Sequence, residues 1–253
     1  MNQDQMIRAE WDVSPRVVAF SSTRTGGSSN PPFDSFNLGM HVGDDPVSVA
    51  KNRRALVAGW PGELRWQWLD QVHSSDVVAV TEAGPPITAD AVLTKASNIV
   101  CCVQTADCLP LFVASLDGSE VAMIHAGWKG LAAGIVESTI AAMATPTQRL
   151  AVWMGPGIGP CHFEVGAQVR ESFLASSNSA VPATALEQGF SRSNNSGKYM
   201  ADLFAIARLK LTALGVQAIS GGNSCTYCDR DRFFSYRRDG VTGRMINAIY
   251  IEA

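Results

Sequence analysis

Residues 98–126 read NIVCCVQTADCLPLFVASLDGSEVAMIHA. Three apolar, β-branched runs lie in it, NIVCCV, LPLFVAS and EVAMI, separated by short polar segments carrying Asp, Gly and Ser. Runs of that length between turn residues are strands. The stretch does not cross a bilayer, because Gln104, Asp107 and Pro110 interrupt it.

Working outward, RVVAFSST, DVVAVTE and DAVLT before it and LAVWMG after it repeat the strand pattern. Helical patterns interleave with them. Asp45 and Pro46 form a cap followed by a first-turn proline for PVSVAKNRRALVAG, while Leu131, Ile135, Val136, Ile140 and Met143 share one helical face. A third helix is expected through ADLFAIARLKLTAL. The reading is a mixed α/β (α+β) protein whose sheets are covered by helices. The stretch from about Ser172 to Lys198, rich in Ser, Asn and Ala, is expected to be an irregular insertion or mobile loop. It is not a linker, since the roughly 55 residues after it make a marginal independent core, so residues 1–253 are expected to form a single domain.

Composition narrows the function. In 253 residues, 46% are hydrophobic and the formal net charge is -3, which offers no general attraction to nucleic acid or an anionic membrane and favours a small-molecule partner. The opening MNQDQMIRAEWDV lacks the basic flank and apolar run of a secretory signal, which implies a cytoplasmic location. Six cysteines are too sparse for a disulfide scaffold and are available for metal or catalysis.

Only four histidines exist: His41, His73, His125 and His162. His73 in LDQVHSSDV, Cys108 in QTADCLP and His125 at the end of EVAMI all fall at strand ends or turns, where a scaffold presents side chains to a pocket. Imidazole and thiolate suit zinc, and three protein ligands leave a fourth position open for water or substrate. The spacings of 35 and 17 residues match no compact metal motif, so capping or core histidines are the alternative. CTYC at Cys225–Cys228 has a familiar zinc or redox spacing but no second ligand pair near it in sequence. It reads as two small residues in a turn unless distant Cys161 and His162 converge on it. Cys101 and Cys102 read as small hydrophobes within a strand. Cys161 or His162, after the Gly- and Pro-rich GPGIGP, could line a pocket or simply follow a tight turn. In RDRFFSYRRDGVTGR, five arginines among aromatic residues could hold a phosphorylated or nucleoside ligand, and a salt-bridged hairpin turning at Asp239-Gly240 is the alternative.

Together DQVHSSDV, ADAVLT, TADCLPLFVAS, HAGWKGLAAGIVE, MGPGIGPCHFEVG and CTYCDRDRFFSYRRDGVTGR resemble one family over nearly the whole chain. It is the laccase-domain or polyphenol oxidoreductase family, understood as purine nucleoside phosphorylases and also described as peptidoglycan editing factors. The resemblance implies a single domain of mixed sheets sandwiched between helices in α/β/β/α layers. It implies a metal on His73, Cys108 and His125, zinc with copper as the alternative, and phosphorolysis of adenosine, inosine, guanosine and methylthioadenosine with deamination of adenosine. The implied partners are a purine nucleoside and phosphate, with the chain a monomer or weak homodimer. Arg53, in a KNRR stretch similar to the family's, is a phosphate anchor, and Asn37, Gln71, Asp90 and Arg238 are further substrate-binding candidates. Each polar candidate could instead be capping a turn. Cys161 and Cys228 depart from the family pattern and inherit no catalytic role. A multicopper oxidase of the usual kind needs far more imidazoles than the four present.

Two rival classes remain. In one, Cys108 is a nucleophile with His125 or His73 as base in an amidase editing cell-wall precursors. In the other, the metal is structural in a binding module, which requires a fourth protein ligand such as Cys161 or His162 beside the three.

Overall fold

The computed structural model describes residues 5–60 and 63–253; the first four residues of the opening stretch read for a secretory signal lie outside them. Two mixed sheets carry the fold. The first runs in the order Met6–Arg8, Val17–Ser22, Met245–Ile251, Ile99–Thr105, Arg65–Gln67 and is antiparallel except for the last pair. The second runs Ala218–Gly221, Leu150–Met154, Leu109–Ser115, Val121–Ala126, Ala91–Thr94, Val77–Ala79, antiparallel in its middle and parallel at both edges.

The period of two along each strand builds the layers. Val17, Ala19, Cys101, Val103, Ile249 and Ile251 of the first sheet pack against Val92, Phe112, Ala114, Val121, Met123 and Trp153 of the second. The alternate residues of the first sheet, among them Phe20, Val100, Cys102, Ile246 and Tyr250, meet Leu56 of the Pro46–Ala58 helix together with Trp60 and Trp66. Those of the second sheet, including Leu111, Val113, Ala122, Ile124 and Val152, meet Leu131, Ile135, Val136, Val169, Phe173, Ile206 and Leu211 from helices on its outer face. The order is therefore helix, sheet, sheet, helices. Strands covered on both faces read as continuous apolar runs, which is why NIVCCV and LPLFVAS lack alternation.

The expected helices form. Asp45 caps Pro46–Ala58 by accepting from the main-chain N–H groups of Val47 and Ser48, and Asp202 caps Leu203–Ala213 through Ala205 N–H. Two expectations change. Leu131 to Met143 do share a buried face, but Gly134 at φ 95° divides them between helices Trp128–Ala133 and Ile135–Ala142. The Ser172–Lys198 stretch is not an irregular loop either. It ends the Ala167–Ala175 helix, forms helix Ala183–Glu187 and strand Phe190–Arg192, and reaches strand Lys198–Ala201. Its elements are too short to show periodicity, yet they bury Phe173, Val181 and Leu186 in the core.

Strands Ile99–Thr105 and Leu109–Ser115 are consecutive in sequence but lie in different sheets. Ala106, Asp107 and Cys108 make that crossing, and this places Cys108 at one end of the second sheet.

Candidate metal centre

Four chemically active residues gather at that end. Leu109 pairs with Ala126, so Cys108 lies beside the last residues of the neighbouring strand, where His125 stands. Asp90 precedes the next strand, Ala91–Thr94, and His73 precedes the edge strand Val77–Ala79. One donor atom from each of His73, Cys108 and His125 lies within 4.8 Å of the others, and Cys108 Sγ is 3.7 Å from His73 Nε2. The backbone comes close here: a Cβ on Gly127 would lie 2.7 Å from His73 Cδ2 and 3.0 Å from Cys108 Sγ. Only glycine leaves room.

Asp90 organises the cluster. Fully buried, its carboxylate accepts from the main-chain N–H groups of Val72, His73 and Ser74 at 3.3, 3.0 and 2.6 Å and from Ser74 Oγ at 2.9 Å. This holds His73 at φ 61°, a left-handed conformation that a non-glycine residue adopts only when its surroundings enforce it. The same carboxylate meets His125 Nδ1 at 2.7 Å. Burial raises the Asp90 pKa, but the hydrogen bonds from His125 and Ser74 outweigh it and bring it to about 2. An ionised carboxylate only accepts, so His125 holds a proton on Nδ1, and its Nε2, which faces Cys108 and His73, gives up its own proton when a metal binds there.

Burial likewise works to raise the Cys108 thiol, and the charge and hydrogen bond of His125 with the hydrogen bond of His73 draw it down to about 6. Burial lowers His125, while the Cys108 charge and the Asp90 hydrogen bond lift it to about 9. Cys108 is thus a thiolate at neutral pH, the form that binds a soft cation. Two imidazoles and a thiolate, one imidazole fixed by a carboxylate behind it, fit zinc. Among the described residues, no fourth His, Cys, Asp or Glu donor joins the three.

The cluster opens into a cavity of about 730 Å³, within the range of small-molecule sites. Of the substrate-binding candidates, Arg53 and Gln71 line it. Arg53 donates from Nε to Leu38 O at 2.9 Å and lays its guanidinium 3.8 Å from the Trp68 ring centroid. The Gln71 amide is held by the main chain of Gln104, to which it both donates and accepts. Asn37, Asp90 and Arg238 do not line the cavity. Asn37 bonds Gly39, Asp44 and the Arg244 N–H. Arg238 ties the carbonyls of Thr226, Tyr227 and Phe233 together. Asn37 thus fixes the loop leading to Met40 and His41 in the cavity wall, while Arg238 fixes the loop around the Cys225–Cys228 turn.

Among the wall residues not singled out from sequence as ligands are Tyr236 and Arg244. Both belong to the RDRFFSYRRDGVTGR segment, whose arginines marked it for an anionic or aromatic ligand without showing which of them faces inward. Asp239-Gly240 does not turn a hairpin there; it ends the short Tyr236–Asp239 helix. CTYC does lie in a turn, and the condition under which it would be more than that is met. Cys225 and Cys228 converge with Cys161 and His162, donor atoms within 4.8 Å, in a cluster separate from the cavity.

The family described as multi-copper polyphenol oxidoreductase laccase matches residues 18–252. The chain belongs to this family. The purine nucleoside phosphorylase YfiH of Shigella flexneri is 44% identical, the alignment covering 98% of this chain and 99% of that one. A purine nucleoside phosphorylase of Pseudomonas aeruginosa is 45% identical, with 97% and 98% covered. Among solved structures, a Neisseria meningitidis protein superimposes with a TM-score of 0.89 at 42% identity, covering 98% of this chain and all of that one. The laccase-family name notwithstanding, the described residues bring no more than two metal-donor clusters together, and neither contains more than two imidazoles. No helix among the described residues is long and apolar enough to cross a membrane.

Proposed function

We propose that the chain is a zinc-dependent purine nucleoside phosphorylase that also deaminates adenosine, with inosine, guanosine and methylthioadenosine as further phosphorolysis substrates. One observation carries the reading. Arg53 and Arg244, half-buried and without a carboxylate partner among the described residues, line the same cavity as His73, Cys108 and His125. Two guanidinium forks with no protein counter-ion suit an oxyanion such as phosphate. The names of the relatives from Shigella flexneri and Pseudomonas aeruginosa support the same class.

His73, Cys108 and His125 would hold the zinc, with copper the alternative occupant; the ion supplies Lewis acidity and lowers the pKa of a nearby water. The chain's own groups do the rest. Arg53 and Arg244 hold phosphate for attack on ribose C1′. The bond from C1′ to purine N9 breaks, its electron pair leaving with the base, which takes up a proton. Burial, then the charges of Arg244 and Arg53, lower the His41 pKa, so its neutral imidazole can accept a proton from hydrogen phosphate. Tyr236 and Met40, exposed on the wall, present apolar surface to the purine and help keep water from the reacting carbon.

The test is chromatography of products from adenosine with and without phosphate, alongside Cys108→Ala. Adenine and ribose 1-phosphate formed only with phosphate, and lost in the variant, support phosphorolysis at this site; inosine measures the deamination. No turnover in metal-replete protein rejects the reading.

A second reading has its own observation. Asp90, His125 and Cys108 stand in the order carboxylate, imidazole, thiol, which suits a nucleophilic hydrolase acting on an amide of a wall precursor. There chelation leaves activity intact and alkylation of Cys108 abolishes it; under the zinc reading, chelation alone is sufficient.

A further inference from the structure

We propose that the chain binds a second metal ion, a structural zinc held by Cys161, His162, Cys225 and Cys228. Their donor atoms lie within 4.8 Å of one another. Cys161 Sγ is 3.5 Å from Cys228 Sγ, His162 Nδ1 is 3.1 Å from Cys161 Sγ, and Cys228 Sγ is 3.3 Å from His162 Nδ1. A tetrahedral zinc with bonds of about 2.3 Å to sulfur and about 2.0–2.1 Å to nitrogen has edges of about 3.5–3.8 Å between ligands. Cys161, His162 and Cys228 need to spread by less than about half an ångström to reach that geometry, and Cys225 Sγ lies within 4.8 Å of all three. Three sulfurs and one imidazole close the coordination sphere, which is the pattern of structural sites, whereas the cavity site has three donors.

The surroundings are built for this cluster. Gly159 N–H donates to Cys225 Sγ at 3.2 Å, and a Cβ on Gly159 would sit 3.2 Å from that sulfur and 3.5 Å from Cys161 Sγ. Such an N–H bond favours a thiolate. His162 stacks on Tyr227, with centroids 3.9 Å apart and planes 14° from parallel, which sets the imidazole's orientation. Backbone bonds join the two segments independently: Thr226 N–H donates to Gly157 O at 3.0 Å and Gly157 N–H to Ser224 O at 3.2 Å. The ligand pairs thus come from two segments already held side by side.

The site also has a place in the architecture. Thr226, between the paired cysteines, donates from Oγ1 to Asp107 Oδ1 at 2.6 Å, and Arg237 N–H donates to Asp107 Oδ2 at 2.7 Å. Asp107 sits at φ 96° immediately before Cys108. An ion clamping Cys225 and Cys228 to Cys161 and His162 therefore stiffens the support behind Cys108, without entering the cavity.

Metal content of the purified full chain, loaded with zinc and read by native mass spectrometry and elemental analysis, tests this independently of the proposed activity. The expected result is two zinc ions per chain, one after Cys161→Ser with Cys228→Ser, and one after Cys108→Ala. If the cavity binds no zinc, the wild type holds one ion, lost in the double variant and kept in Cys108→Ala, and the second site still stands. Cobalt in the Cys108→Ala chain should show the strong visible bands of tetrahedral thiolate coordination. A content unchanged by the double substitution, or a Cys161–Cys228 disulfide in freshly purified protein by peptide mapping, overturns the proposal.

Discussion

His125 Nδ1 donates to Asp90 Oδ1 at 2.7 Å, and the same carboxylate caps the main chain that presents His73. One buried anion therefore orients two of the three donors in the cavity. Asp90→Asn should leave the fold in place but lower zinc affinity at the cavity site about 10- to 100-fold, the range for a carboxylate that fixes a metal-binding imidazole. Chelator competition measures it, and an affinity equal to wild type would show that Asp90 is only a turn cap.

Arg53 and Arg244 carry a different burden, since neither has a protein counter-ion among the described residues. Replacing either by Gln should raise KM for phosphate more than KM for the nucleoside. The loss of one charge-assisted hydrogen bond, about 1.5–3 kcal/mol, corresponds to roughly a 10- to 150-fold fall in kcat/KM for phosphate. Initial rates over a matrix of both substrates separate the two constants, and equal effects on both would remove the phosphate role.

Thiol reactivity should follow burial and metal occupancy. Cys101 and Cys102 are fully buried, and burial pushes both thiols up, so they should resist iodoacetamide until the chain unfolds. Cys161 is exposed and should be alkylated quickly after chelation and slowly in zinc-loaded protein, whereas Cys228, also exposed but with its thiol pushed up to about 12 by its hydrogen bond with Cys161 and by burial, should react more slowly than Cys161 after chelation. Mass mapping of labelled peptides reads both comparisons.

The interface between the sheets should be the costliest place to create a cavity. Phe112 is fully buried against Trp153, with ring centroids 4.8 Å apart, where the two sheets meet. Phe112→Ala should destabilise the chain by about 3–5 kcal/mol, measured by denaturant unfolding of the metal-loaded protein. A loss under about 1 kcal/mol would mean that the sheets close over the gap.

Much of this was legible along the chain because local chemistry dictates it. Asp45 and Pro46 mark a helix start wherever they fall, and LPLFVAS has the β-branched, uncharged character of a covered strand. The composition of 172–198 misled for the opposite reason. Helices and strands of three to five residues, such as Ala183–Glu187 and Phe190–Arg192, leave no periodic signature, and packing of Phe173, Val181 and Leu186 holds them.

By itself the sequence determined the longer strands and helices, the helix caps and the shortage of histidines that narrows metal binding to a few residues. The family motifs then pointed to His73, Cys108 and His125. Tertiary structure alone decided which donors meet and which side chains face the cavity. Cys161 and Cys228 lie far apart in sequence yet 3.5 Å apart in space, Arg244 turns inward, and Arg238 binds carbonyls of its own loop. The physical reason is that periodicity records only whether a residue is covered. Convergence depends on strand register and on the crossing at Ala106–Cys108 between sheets, which arise from packing among residues distant along the chain.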